Sequence, residues 1–298
     1  MPKIEYQEYK PRKRSQAIIT IANGIISEYA AEGMRLTLRQ LYYQFVARDY
    51  IPNKQKEYDN LGAIISKARL GGLIDWNAIE DRTRNLVSNS HWRTPGHIIR
   101  AAREGFMLDH WKGQPFRVEV WIEKEALVGV IADICNDLDV PYFACRGYVS
   151  QSEMWAAAMR LQGYADKRQA PVILHLGDHD PSGIDMTRDI AARQELFGGS
   201  LDIRRIALNM DQVEKYAPPP NPAKLTDSRC GAYIDEYGPE SWELDALEPR
   251  VLKALITEHV EGLRNAEIYQ KQLKLEDRFK SVLKKVEDNW RDFIDEEG

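Results

Sequence analysis

Residues 172–183 read VILHLGDHDPSG, an apolar run that stops at two aspartates separated by one histidine, followed at once by a Pro-Ser-Gly turn. Val172, Ile173, Leu174 and Leu176 have the pattern of a strand buried on both faces, as in a parallel sheet covered by helices. Asp178 and Asp180 stand where that strand ends, and in open α/β sheets ligands bind at the carboxyl ends of the strands. Carboxylates at i and i+2 suit a hard divalent cation. Mg²⁺ takes one or two of them and fills its other positions with water and substrate phosphate. A second acidic end lies upstream, where 117–125, RVEVWIEKE, predicts a strand with Val118, Val120 and Ile122 on one face, ending in Glu123-Lys124-Glu125. Between the two, Val140 to Cys145 predicts a further strand leading into Arg146-Gly147-Tyr148.

Strand–Glu, strand–Gly and strand–DxDPxG, in that order, resemble the Toprim domain of topoisomerases, primases and several nucleases. Glu123, Asp178 and Asp180 fall on its three acidic motif positions. The resemblance implies a Rossmann-like, mostly parallel sheet and Mg²⁺ (or Mn²⁺) as the cofactor. Asp-x-Asp alone is a weak signal, because two acids after a strand are often a solvated loop; the ordered set is far more specific.

The 298 residues leave room for two domains. A hydrophobic share of 43% with 29% charged residues fits a soluble globular protein. No apolar run approaches the ~18 residues of a membrane span, and the first residues lack the apolar centre of a secretory signal. Cys135, Cys145 and Cys230 are far apart with no CxxC, which points to neither zinc nor disulfides and to a cytoplasmic location. The net charge of −5 argues against nucleic acid, but its distribution does not. Residues 1–100 hold 16 Lys/Arg against 10 Asp/Glu, whereas the remainder holds 25 against 36. A basic front half joined to an acidic back half fits a DNA-binding module attached to a metal-binding one.

The front half reads as a basic arm (Lys10, Arg12, Lys13, Arg14) and three short helices: from about Ser15 to Gly33, from Thr37 through LRQLYYQFVARD, and over 58–70, closed by Gly71-Gly72. With a short wing over 73–84, this spacing predicts a winged helix-turn-helix whose third helix brings Ser66, Lys67 and Arg69 to duplex DNA. The expected organisation is a winged-helix domain over 1–95, a linker within 85–114 whose residues 97–108 are compatible with a helix, and an α/β Toprim domain over 110–298. Leu201 to Leu208 supplies a fourth strand, the Pro-rich 217–222 a loop, and residues from Pro249 onward two C-terminal helices. The last helix carries an apolar stripe at Leu275, Phe279, Val282, Val286, Trp290 and Phe293, for packing on the sheet domain or on a second subunit.

Over most of its length the chain also resembles topoisomerase VI A subunits and the related meiotic double-strand-break transesterase. LRQLYY matches their tyrosine motif, Glu123/Asp178/Asp180 their metal motif, and the domain order agrees. The resemblance implies that a winged-helix tyrosine attacks a DNA phosphodiester to give a 5′-phosphotyrosyl bond. It also implies that a Toprim-bound Mg²⁺ of the partner protomer assists, so that a homodimer is expected. The compact chain has no ATPase segment, and ATP-driven strand passage would need a separate subunit. At about 100° per residue, Leu38, Leu41, Tyr42, Phe45 and Val46 share one apolar face, while Tyr43 lies off it beside Arg39. Tyr42 is therefore the better core residue and Tyr43 the better nucleophile, with Arg39 placed to stabilise its phenolate. Phe at either position is expected to leave the core in place.

A second reading is a Toprim nuclease that uses metal-activated water, with both tyrosines structural; a third is a DNA-binding subunit whose acids are structural. Arg146 is a further candidate for DNA contact. His179 is expected to point away from the metal. Lys124 and Glu125 are candidates for a supporting or catalytic role, Asp185 for a second metal, and Glu243 and Asp245 of WELDAL stay unplaced.

Overall fold

The computed structural model describes residues 3–79, 89–198 and 201–293. Three helices come first: α1 (Lys13–Ala31), α2 (Leu38–Ala47) and α3 (Gln55–Leu70). Thr37 starts α2 through a capping box, its hydroxyl accepting from Gln40 N at 3.2 Å while Gln40 Oε1 accepts from Thr37 N at 2.9 Å. Ile19, Ile25, Leu41, Phe45, Leu61 and Ile65 close a common core between these helices. The segment leading into the basic arm is docked on the helices. Residues 5–9 run back over the end of α3, with Tyr6 N donating to Leu70 O at 2.8 Å. A Cβ on Gly71 would lie 2.6 Å from that of Tyr9. Lys13 and Arg14 belong to the first turn of α1. The predicted wing falls outside the described residues from position 80, as does the predicted linker over 85–88.

Residues Pro95–Glu104, expected within the linker, form a helix, α4. The second half is then an alternation of strand and helix: β1 (Phe116–Ile122), α5 (Val128–Asp137), β2 (Tyr142–Ala144), α6 (Gln151–Ala165), β3 (Ala170–Leu176), α7 (Pro181–Leu196) and β4 (Asp202–Ala207). The four strands make one wholly parallel sheet in the order β2-β1-β3-β4. After α8 (Met210–Tyr216), part of the Pro-rich segment forms a two-residue strand, β5 (Asn221–Pro222). It pairs with β6 (Glu240–Ser241) across the helix α9 (Cys230–Tyr237). The two C-terminal helices are α10 (Pro249–Leu263) and α11 (Ala266–Asp288).

Both sheet faces are covered, as the double-sided apolar pattern of 172–176 requires. Val118, Val120, Leu174 and Leu176 pack with α5 and α10, while Trp121 and Ile173 pack with α6 and α7 on the other side. Burying each such side chain contributes roughly 1.5–3 kcal/mol. α4 lies along α11, where Arg100 and Arg103 meet the buried Glu287 at 2.7 and 2.8 Å. The stripe on α11 is only partly covered: Phe279, Val282 and Val286 are exposed. Among the described residues no helix is long and apolar enough to cross a membrane.

Candidate active site

Ile122 and Leu176 are register partners, so β1 and β3 end side by side and deliver Glu123 and Asp178 to the same edge of the sheet. Glu123 Oε2 accepts from the Asp178 N–H at 2.8 Å. Asp178 Oδ1 accepts from Leu244 N at 2.8 Å, and its Oδ2 lies 2.9 Å from Lys124 Nζ. Asp180 caps α7, its Oδ1 accepting from Gly183 N at 2.7 Å and from the Ser182 hydroxyl at 2.8 Å, with Pro181 at the first helical position. The sequence DHDPSG is thus at once a cluster of acids and a helix start.

Beneath this turn runs a buried guanidinium. Arg205 on β4 donates to the carbonyls of Gly177 (3.0 Å), Asp178 (2.6 Å) and Gly183 (3.0 Å) and to the Thr187 hydroxyl (3.0 Å), fixing both ends of the acid loop. Burial lowers its pKa to about 10 despite the opposing charges of Glu123, Asp178 and Asp180. His175 hydrogen-bonds Thr187 through Nδ1 at 2.8 Å, and burial, then Arg205, pushes it down to about 3. His179 turns away from the acids, as alternation predicts, into Tyr233, Tyr237 and Trp242, with Nδ1 2.7 Å from the Tyr233 hydroxyl.

Burial, then the neighbouring Asp178 and Asp180 charges, raises the Glu123 carboxyl to about 7. Among the described residues no group of three or more His, Cys, Asp or Glu side chains stands preassembled around a cation position. Glu123 Oε1 and Asp180 Oδ2 nevertheless take no protein donor among those residues. Hard oxygens, two open lone-pair positions and a crowded set of like charges fit a divalent cation held by Glu123, Asp178 and Asp180.

The stretch WELDAL, unplaced by sequence, completes the site. Glu243 precedes the 3-10 turn Leu244–Ala246, Asp245 lies within it, and both face both halves of the chain. Lys124 Nζ lies 3.1 Å from Glu243 Oε2. Arg39 on α2 pairs with the same Glu243 oxygen, and its Nε lies 2.6 Å from Asp245 Oδ2. Burial pushes the Glu243 carboxyl up, but Lys124 and Arg39 more than reverse this and hold it at about 2. Because this turn covers the polar side of α2, Tyr43 is not the surface ring that the helical wheel predicts. It is 4% exposed, as is Tyr42. Burial, then the Glu243 charge, raises the Tyr43 pKa well above the ordinary phenol value, with Arg39 opposing. Tyr42 points elsewhere, its hydroxyl accepting from Lys54 N at 2.8 Å and lying 3.0 Å from Asn53 Oδ1.

The remaining candidates are dispersed. Lys67 is exposed on α3, whereas Arg69 stacks on Trp76 and donates to its carbonyl at 2.7 Å. Arg12 and Lys13 are exposed, and Arg14 lies 3.8 Å from Glu57. Arg146, in a left-handed backbone conformation (φ 53°), pairs with Glu125. Both line a cleft of about 1150 Å³ beside β2 that the three acids do not reach. Asp185 pairs with Arg188 at 2.7 Å and Arg229 at 3.0 Å, and is thereby engaged away from the acid cluster.

No protein-family model matches this chain, and no curated protein matches it.

Proposed function

We propose that the chain is a metal-dependent DNA-cleaving protein, with a winged-helix half that holds duplex DNA and a Toprim half that carries the cation, and that Tyr43 is its nucleophile. One observation carries this reading. Within a single chain, Arg39 lies over the Tyr43 ring and pairs with Glu243, Glu243 pairs with Lys124, and Lys124 pairs with Asp178. A run of paired charges thus connects the Tyr43 side of α2 to the acids.

In this reading the Tyr43 oxygen forms a bond to phosphorus, the bond from phosphorus to the deoxyribose 3′ oxygen breaks, the phenolic proton passes to solvent, and the departing 3′ oxygen takes a proton up. Arg39, with its guanidinium 5.7 Å from the Tyr43 ring centre, stabilises the developing phenolate. Lys124 and Arg39 together draw the phosphate to the tyrosine. A divalent cation on Glu123, Asp178 and Asp180 would supply further neutralisation of phosphate charge when bound. Cutting both strands takes two such sites, and a symmetric dimer on double-stranded DNA provides them. The resemblance implies that the cation of the partner protomer assists the tyrosine, whereas the contacts here run from tyrosine to acids within one chain.

The burial of Tyr43 favours a second reading, in which the ring is structural and a cation-activated water cuts the DNA. A cleavage assay tests the proposal. Glu123→Gln, Asp180→Asn and Tyr43→Phe should each lower Mg²⁺- or Mn²⁺-dependent cleavage of duplex by about 100-fold or more, with DNA binding retained and steeply salt-dependent. Full cleavage by Glu123→Gln together with Asp180→Asn would remove the acids from the mechanism.

A further inference from the structure

We propose that Lys124 is a built-in cation of this site, holding among Asp178, Glu243 and Asp245 the position that a second divalent ion takes in two-metal phosphoryl-transfer sites. The chain therefore binds one divalent ion, not two. The count of one rests on the reading of Glu123, Asp178 and Asp180 given above; the exclusion at Lys124 does not.

The Lys124 ammonium lies 2.9 Å from Asp178 Oδ2, 3.1 Å from Glu243 Oε2 and 3.8 Å from Asp245 Oδ2. Three carboxylates from two separate parts of the chain thus converge on one nitrogen. Separations near 3 Å suit N–H···O contacts and are too wide for Mg²⁺, which binds oxygen at about 2.1 Å. Lys124 cannot easily withdraw, because its neighbour Glu123 is fixed on both sides. Glu123 N donates to Leu176 O at 2.8 Å, and Arg146 N donates to Glu123 O at 2.9 Å.

A second observation shows that this position is built for a cation with more bonds to give. Asp245 is 4% exposed, and its Oδ1 is buried without any hydrogen-bond partner. A lone carboxylate oxygen of that kind is costly unless a charge stands nearby. Lys124 and Arg39 supply that charge, but neither reaches Oδ1. In two-metal sites the ions sit about 3.5–4 Å apart and clamp the attacking and leaving oxygens. Here Asp178 is shared: its Oδ1 and backbone belong to the acid loop, and its Oδ2 to Lys124. The ammonium thus stands beside the cation position and on the tyrosine side of it. Its fixed charge leaves the second metal without a place.

Calorimetric titration of the full chain with Mn²⁺ alone tests this. Wild type should take up one ion per chain, and Lys124→Arg should do the same. Lys124→Met, which keeps the stem and removes the charge, should take up one ion more than wild type, and adding Glu243→Gln should abolish that extra ion. Two ions in wild type, or no gain in Lys124→Met, would overturn the proposal. The acid reading fails separately: no ion in wild type but one in Lys124→Met leaves Lys124 as the excluding cation and removes Glu123, Asp178 and Asp180 as ligands. Melting curves guard against misfolding. If Lys124→Met is unfolded without metal, Mn²⁺ should restore its transition and raise its Tm by more than that of wild type. An unfolded variant that Mn²⁺ does not rescue counts against the proposal.

Discussion

A Cβ on Gly183 would lie 2.2 Å from the carbonyl oxygen of Asp178, and 3.1 Å from Glu123 Oε2. The obstacle is backbone that Arg205 holds from the other side, so it cannot swing away. Gly183→Ala should therefore cost about 1–3 kcal/mol and weaken Mn²⁺ binding by shifting Asp178 relative to Asp180. Urea unfolding at the wild-type midpoint would show that the close approach is not a constraint.

The two adjacent tyrosines should respond in opposite ways. Tyr42→Phe deletes the acceptor of the Lys54 N–H and the partner of Asn53, which bridges to Asn221 at 3.0 Å. A loss of about 1–3 kcal/mol is expected, contrary to the packing-only role expected from the helical wheel. Tyr43→Phe removes a hydroxyl that makes no hydrogen bond to the protein among the described residues, and should change stability by less than about 1 kcal/mol. Thermal or urea unfolding of the two variants decides the order.

Glu123 gives the metal-free protein a definite pH dependence. Its carboxyl is raised from 4.5 to about 7 by burial, then by Asp178 and Asp180, so the fold favours the protonated form. Stability without metal should fall as pH rises from about 4.5 to 7, on the order of 2–3 kcal/mol. Glu123→Gln should flatten that slope. Binding of Mn²⁺ near pH 7 should release part of a proton per chain, measurable as a dependence of the binding heat on buffer ionisation. Stability that rises over this window in the metal-free wild type would contradict the assignment.

Arg205 is the keystone of the acid loop. Arg205→Met strips donors from four carbonyls, those of Gly177, Asp178, Gly183 and Leu208, and from a hydroxyl, and should cost about 3–5 kcal/mol. Arg205→Lys should recover only part of this, because an ammonium cannot span the fork from Gly177 O to Gly183 O. Equal unfolding midpoints for the two variants would mean that charge alone, not geometry, supports the loop.

The parallel sheet and its acidic ends were legible because period and punctuation are local. The apolar run of 172–176 stops at DHDPSG, and the run of 117–122 stops at Glu123. Helix α2 was legible through its start at Thr37. What sequence could not show was the return of 243–245 across both halves. That contact is set by tertiary packing, and it turned Tyr43 from a surface ring into a buried one and gave Arg39 and Lys124 shared partners. The only signal was a pair of acids in an apolar setting at WELDAL, where buried carboxylates need cations. Arg205 carried no signal, since a single Arg in a strand reads as an exposed edge. Helix α4 was half legible, since 97–108 was compatible with a helix within the linker; what the polar stretch hid was its partners, Trp290 against Gly96 and Glu287 against the arginines, which lie far along the chain.

As the nucleophile, Tyr43 becomes joined to DNA. Duplex labelled on its 5′-terminal strands and internally is incubated with the protein and Mn²⁺, denatured, and digested, and the labelled peptide is sequenced by mass spectrometry. The account predicts label on the peptide containing Tyr43, present with wild type and Tyr42→Phe and absent with Tyr43→Phe. Cut DNA with free ends and no labelled peptide in wild type would contradict it and assign the cleavage to water.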